Sequence, residues 1–194
     1  MKRFFVLFGI LNLLIFGEVK KVYLLNISKG EKPDLKLVEK EDLSLLDLYI
    51  ADFSIVNEKI ENRDKWLKVI FSKGTEKNKP YGKCKFGVNK PKINDWSNYE
   101  IIKFEVYNPQ NNPVKIDFIV REKKHPFSYG ERFDTSLIIP PGKSIQKVYI
   151  QGATNNNRES FDLKNIYEWF IGVHNLGDTP ITLYFGDIEL TFDE

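Results

Sequence analysis

The longest regular pattern in the chain runs from Asp95 to Arg121, DWSNYEIIKFEVYNPQNNPVKIDFIVR. Ile102, Phe104 and Val106 alternate with Lys103, Glu105 and Tyr107. Further on, Val114, Ile116, Phe118 and Val120 alternate with Lys115, Asp117 and Arg121. A period of two sends successive side chains to opposite sides of an extended backbone, so each half predicts a strand with one dry and one wet face. Between them, Asn108 to Pro113 holds two prolines and three asparagines, which stop a ladder and favour turns. The expectation is an antiparallel hairpin around which the other strands are laid.

The same alternation recurs along the chain. WLKVIF sets Leu67, Val69 and Phe71 against Trp66, Lys68 and Ile70, and KCKFGV sets Cys84, Phe86 and Val88 against Lys83 and Lys85. YIADF opens a strand near Leu48, and Phe133 to Ile139 is extended. Pro140-Pro141-Gly142-Lys143 then predicts a turn into a partner strand, Ile145 to Ile150. After the polar loop Gln151 to Ser160, FDLKNIY reads as one helical or 3₁₀ turn before a strand at Trp169 to His174. In the closing ITLYFGDIELTF, Ile181, Leu183 and Phe185 are odd-numbered whereas Ile188, Leu190 and Phe192 are even, a one-residue slip that predicts a β-bulge at Gly186-Asp187. Roughly eight or nine short strands without a helical period imply an all-β fold, an antiparallel β-sandwich of jelly-roll type.

Composition narrows the functional classes. The 194 residues include 29 basic and 27 acidic ones, a near balance that lacks the basic footprint of nucleic-acid binding. The single cysteine, Cys84, excludes an intrachain disulfide and falls on the apolar side of its strand, as a buried thiol would. His125 and His174 have no nucleophile motif beside them, and no GxSxG, HExxH, P-loop or dinucleotide fingerprint occurs. His125 reads as a loop residue and His174 as the end of a strand.

The N-terminus, MKRFFVLFGILNLLIFG, has two positive charges ahead of an apolar run from Phe4 to Phe16. That is the pattern of a secretory signal, and as a helix the run spans about 20 Å, short of the roughly 30 Å hydrocarbon core. Residues 1–17 are therefore expected to be a signal peptide or N-terminal anchor, 18–47 a charged linker with a short strand at Val22 to Ile27, and 48–194 the folded domain. The chain is expected to be secreted or periplasmic, touching a membrane only through an uncleaved N-terminal segment.

Taken together, DWSNYEIIKFEVYNP, YGERF, LIIPPGKSIQKVYI, FDLKNIYEWFI and ITLYFGDIEL resemble the galactose-binding-like jelly-roll domains that occur as carbohydrate-binding modules. The resemblance covers about Leu48 to Phe192. It implies a non-catalytic protein whose partner is a poly- or oligosaccharide. Sugar rings present C–H faces to flat aromatic side chains, and their hydroxyls need planar donors and acceptors. On that chemistry Trp66 and Tyr107, which share faces with charged neighbours, and Tyr129, Arg132 and Asp134, in or beside a loop, are the candidate contacts. Trp96 and Trp169 are expected in the core. The resemblance also implies a structural calcium between first and last strands, with Asp52 and Asp187 at positions that look like its ligands; calcium takes six to eight oxygens. Two other classes stay open: a cell-envelope module that holds a protein partner, and a jelly-roll glycoside hydrolase or lyase, which needs two carboxylates about 5–10 Å apart.

Overall fold

A computed structural model describes residues 21–33, 48–72, 83–122, 130–173, 176 and 179–193. The candidate Tyr129, both histidines, the apolar N-terminal run and most of the segment preceding Leu48 lie outside the described residues.

In chain order the strands are β1 (Val22–Leu25), β2 (Leu48–Ile50), β3 (Asp52–Val56), β4 (Trp66–Phe71), β5 (Lys83–Asn89), β6 (Ile101–Asn108), β7 (Val114–Glu122), β8 (Arg132–Ile139), β9 (Gly142–Tyr149), β10 (Ile166–Val173) and β11 (Ile181–Thr191). They form two sheets, β3-β4-β11-β6-β9 with β1 alongside β11, and β2-β5-β10-β7-β8. All pairings are antiparallel except β2 with β5. The opening YIADF is split between the sheets: the chain leaves β2 in one and enters β3 in the other at the buried Ala51, whose N–H donates to the Lys85 carbonyl at 2.8 Å.

The alternation identifies the dry faces correctly but not the strand partners. β6 and β7 do not form a hairpin. β6 pairs with β9 and β11 in one sheet, and β7 with β8 and β10 in the other. Their apolar faces meet across the sandwich instead, with the rings of Phe104 and Phe118 6.2 Å apart. Two strands that are each dry on one side bury more apolar area face to face between sheets than edge to edge within one. The Asn108 to Pro113 link spans the gap, and the Asn108 side-chain amide donates to the carbonyls of Asn112 and Ile139, tying the crossing to the end of β8. The Pro140-Pro141-Gly142 turn does likewise: β8 and β9 belong to different sheets, and Gly142 supplies the positive φ of 83° that the corner uses.

Inside, Trp169 stacks on Phe118 at 5.8 Å with a 5° interplanar angle, and Trp96 is fully buried with its indole N–H donating to the Ile93 carbonyl. Cys84 is buried as expected, and burial pushes its thiol pKa up. The predicted bulge is present: β11 pairs Phe185 with Val106 and Ile188 with Phe104, one extra residue on β11. In FDLKNIY, Asp162 to Asn165 is a turn held by the Asp162 side chain rather than a helical turn, and Ile166 and Tyr167 already belong to β10.

One boundary moves. Val22–Leu25 is a strand of the sandwich, paired to β11 from Ile188 to Leu190, with Leu24, Leu25 and Ile27 in the core. The domain therefore includes part of the segment expected to be linker. Among the described residues no helix is long and apolar enough to cross a membrane.

Candidate functional site

In the second sheet, inward positions hold the core, and the register sets out the opposite side in three cross-strand rows. The first is Asn89, Glu168, Arg121 and Arg132; the second Gly87, Phe170, Ile119 and Asp134; the third Lys85, Gly172, Asp117 and Ser136. An outer sheet face is ordinarily wet. Here Lys85, Arg121, Arg132 and Glu168 are only 2–6% exposed, and Ile119 and Phe170 form a small buried apolar cluster of their own.

These groups interlock. Arg121 donates to Glu168 at 2.7 Å, and Arg132 reaches one oxygen of Asp134 through Nε at 3.0 Å and Nη2 at 2.9 Å. Ser136 donates to Asp117 at 2.6 Å. The Lys85 ammonium sits 4.0 Å from the centre of the Phe170 ring, with the Arg121 guanidinium at 5.4 Å. A cation desolvated over an aromatic face contributes about 2 kcal/mol. Gly87 makes this layout fit, since a Cβ there would lie 2.1 Å from the Trp169 carbonyl oxygen of the neighbouring strand.

The loop from Thr154 to Ser160 is clamped against the β8 side. The Asn156 N–H donates to the Arg132 carbonyl at 3.0 Å and its side-chain amide to Asp134 at 3.1 Å. Asn157 donates its N–H to the Gly130 carbonyl, and its side chain would collide with any Cβ at Gly130. The face thus grades from a buried floor at Lys85, Phe170 and Glu168 to a rim at β8, where Asp117 and Asp134 are half-buried and Ser136 is exposed.

The sequence candidates fall on two faces. Arg132 and Asp134 belong to the interlocked face just described. Trp66 and Tyr107 lie on the outer side of the other sheet. Trp66 does point away from the core, as its parity predicts, yet it is fully buried: the turn ending at Arg63 folds over it, with its indole N–H donating to the Arg63 carbonyl and the Arg63 guanidinium 5.6 Å above the ring. It is therefore not available for stacking on a sugar. Tyr107 is half-buried, 6.0 Å from Tyr184, which in turn lies under Lys68 at 5.7 Å.

Asp52 and Asp187 are not brought together. Asp52 is opposite Ile70, which is opposite Thr182, five residues short of Asp187 on β11. That separates them by about 16 Å along the sheet. Residues the sequence reading missed, namely Lys85, Asp117, Arg121, Asn156, Glu168 and Phe170, carried one usable signal. Those on strands have the outward parity of their strand, and Asn156 stands in the NNNR loop.

No protein-family model matches the chain, and no curated protein matches it. Solved structures do. The chain overlays 73% of its length on 82% of the family 11 carbohydrate-binding module from Clostridium thermocellum, a structure in complex with a beta-1,3-1,4-mixed-linked tetrasaccharide, at a TM-score of 0.54 and 15% identity. The fold is a jelly roll. A family 30 carbohydrate-binding module of a cellulosomal cellulase of the same organism overlays on 91% of this chain and 99% of its own, at a TM-score of 0.51 and 12% identity. An exo-beta-agarase overlays on 74% of this chain at a TM-score of 0.53 and 16% identity, over 22% of the agarase chain. Identities this low carry the architecture and leave function to the side chains.

Proposed function

We propose that this jelly roll is an exported carbohydrate-binding domain without catalysis of its own, and that it holds a neutral poly- or oligosaccharide at the rim formed by Asp117, Asp134 and Ser136, above the buried floor that contains Arg132 and Phe170. One observation carries the reading: on the outer side of one sheet the accessible rim groups Asp117, Asp134 and Ser136 are fixed by hydrogen bonds over a floor of buried, mutually paired charges, where neither the core nor solvation calls for such an arrangement. Saccharide hydroxyls need such groups, held in place before binding so that little entropy is lost. Three basic residues, Lys85, Arg121 and Arg132, balance three acidic ones, Asp117, Asp134 and Glu168, which suits an uncharged glycan. The carbohydrate-binding modules of the same fold support the assignment.

Each of the three carboxylates is held by a donor: Asp117 by Ser136, Asp134 by Arg132 and Asn156, Glu168 by Arg121. Groups gripped in this way act as hydrogen-bond acceptors for recognition rather than as the proton donor a glycosidase requires. Export rests on the apolar N-terminal run and is tested by the mature N-terminus of the protein from the cell envelope or medium.

The deciding experiment is native affinity electrophoresis of the full chain in gels containing soluble polysaccharides, mixed-linkage β-glucan and agarose fragments among them. Retardation by at least one neutral glycan is expected. Asp134→Ala, at the accessible rim, should weaken it about tenfold or more, the scale of one lost charge-assisted hydrogen bond, while Tyr107→Ala leaves it unchanged. Loss with Tyr107→Ala alone would move the site to the first sheet. No retardation across the panel by folded protein would overturn sugar binding in favour of an envelope protein partner, for which the exposed Ile145 and Tyr149 on the outer side of β9 are the apolar positions to substitute first. Release of reducing ends in the same gels would overturn the non-catalytic part.

A further inference from the structure

The bulge on the closing strand places Asp187 where a jelly roll of this resemblance would hold a calcium ion, and its surroundings do not fit one. Both carboxylate oxygens are engaged by donors. Oδ1 accepts from the Ser28 N–H at 2.8 Å, and Oδ2 accepts from the Ser28 hydroxyl at 2.7 Å and from Arg63 Nη2 at 2.6 Å. The same guanidinium donates through Nε to Glu105 at 3.0 Å, and the other Glu105 oxygen faces Lys143 at 3.2 Å. The Ser28 carbonyl, an oxygen that a metal would otherwise use, accepts from Lys65 at 3.0 Å. Among the described residues no three His, Cys, Asp or Glu side chains converge as a metal site requires. A divalent ion added here would meet Arg63, Lys65 and Lys143 while finding few free oxygens.

We infer that Arg63 takes the place of a metal ion in this domain, an internal cation that fastens the β11 bulge to β6 and to the turn after β1. The geometry explains why an arginine stands there. Its planar fork serves two carboxylates on different strands at once through donors fixed relative to one another, a rigidity that a lysine's single ammonium on a flexible stem lacks. Its far side lies on Trp66, so the ring that is lost to sugar binding is used to seat the guanidinium. The Ile60–Arg63 bridge and the positive φ of Glu61 (51°) form the tight turn that delivers Arg63 to this position. Ser28 is presented by a short 3₁₀ turn, Ile27–Lys29, capped by the Asn26 side chain and ended by Gly30 at a φ of 82°. Four chain segments thus converge on one side chain, and none of this depends on the glycan reading.

The test is thermal unfolding of the full chain, dialysed against chelator, with and without millimolar calcium. The melting temperature is expected to change by less than about 1 °C, whereas Arg63→Gln lowers it by about 4 °C or more for a domain of this size. Arg63→Lys, which keeps the charge and loses the fork, should fall between the two. A rise with calcium in the unaltered protein, or an Arg63→Gln melting temperature equal to that of the unaltered protein, would overturn the inference. If Arg63→Gln does not fold, the calcium comparison on the unaltered protein and the Arg63→Lys shift decide it.

Discussion

Removing one partner of the Arg121–Glu168 pair should damage this protein far more than removing both. The two side chains are 7% and 2% exposed and meet at 2.7 Å, so neither has water to fall back on. Replacing Glu168 by leucine takes the 2.7 Å carboxylate away from a buried guanidinium, and replacing Arg121 by methionine takes the guanidinium away from a buried carboxylate. Each single change is expected to cost about 3–5 kcal/mol. At about 2–4 °C per kcal/mol for a chain of this length, the melting temperature should fall by roughly 6–20 °C. The double variant Arg121→Met/Glu168→Leu removes both charges, extends the apolar patch of Ile119 and Phe170, and should melt within a few degrees of the unaltered protein, since the pair's desolvation largely cancels its attraction. Circular dichroism melts and urea titrations on the four proteins form a double-mutant cycle that isolates the coupling. If the single changes are as mild as the double one, or the double loss equals the sum of the single losses, the pair is not coupled and the reasoning fails. Glycan retardation of the double variant adds the functional half: a folded protein that no longer binds would mean that the pair is kept for recognition at no gain in stability.

Two further outcomes follow from single groups. Cys84 should resist thiol reagents in the folded protein and react on addition of denaturant, because it is buried and burial pushes its pKa up; fast native-state labelling would contradict its place in the core. Asp95 is held below the usual carboxylate range by the Ser97 hydroxyl and N–H. A lowered folded-state pKa stabilises above the unfolded value and is lost as pH falls through the folded one. Asp95→Asn should therefore flatten the decline in stability below about pH 4, and an unchanged acid limb in denaturant titrations would show that the contact does not persist in solution.

Period-two alternation told which side of each strand was dry, and it located the bulge, because both depend only on residues near one another in the chain. Partner choice depends on what meets what across the sandwich. The sequence contains no local sign that Phe104 would face Phe118 rather than sit beside its strand, so β6 and β7 read as a hairpin and β8 and β9 as another. The same limit hid the pairing of β1: a short strand at Val22 to Ile27 is legible in the sequence, but nothing local says that β11 receives it. Trp66 shows the converse failure. Its outward parity was right, but parity is silent about a turn that returns over the ring.

The candidate site was half legible for a related reason. Arg132 and Asp134 stood out because they flank a loop, whereas Arg121, Glu168 and Lys85 looked like the wet side of ordinary strands. Sequence alternation cannot separate a polar residue that faces water from one that is buried and paired, and that difference is what a recognition face consists of. Across one sheet the outward Lys85, Arg121, Arg132 and Glu168 are buried, with Arg121 bound to Glu168 and Arg132 to Asp134; across the other, Ile145, Lys147 and Tyr149 of β9 are left exposed. Burying a charge is costly unless it is paired, and an apolar replacement would hold the sheet together as well. That cost is what makes the outer side of this sheet the place to look for a ligand, and the glycan experiment asks whether the ligand is a sugar.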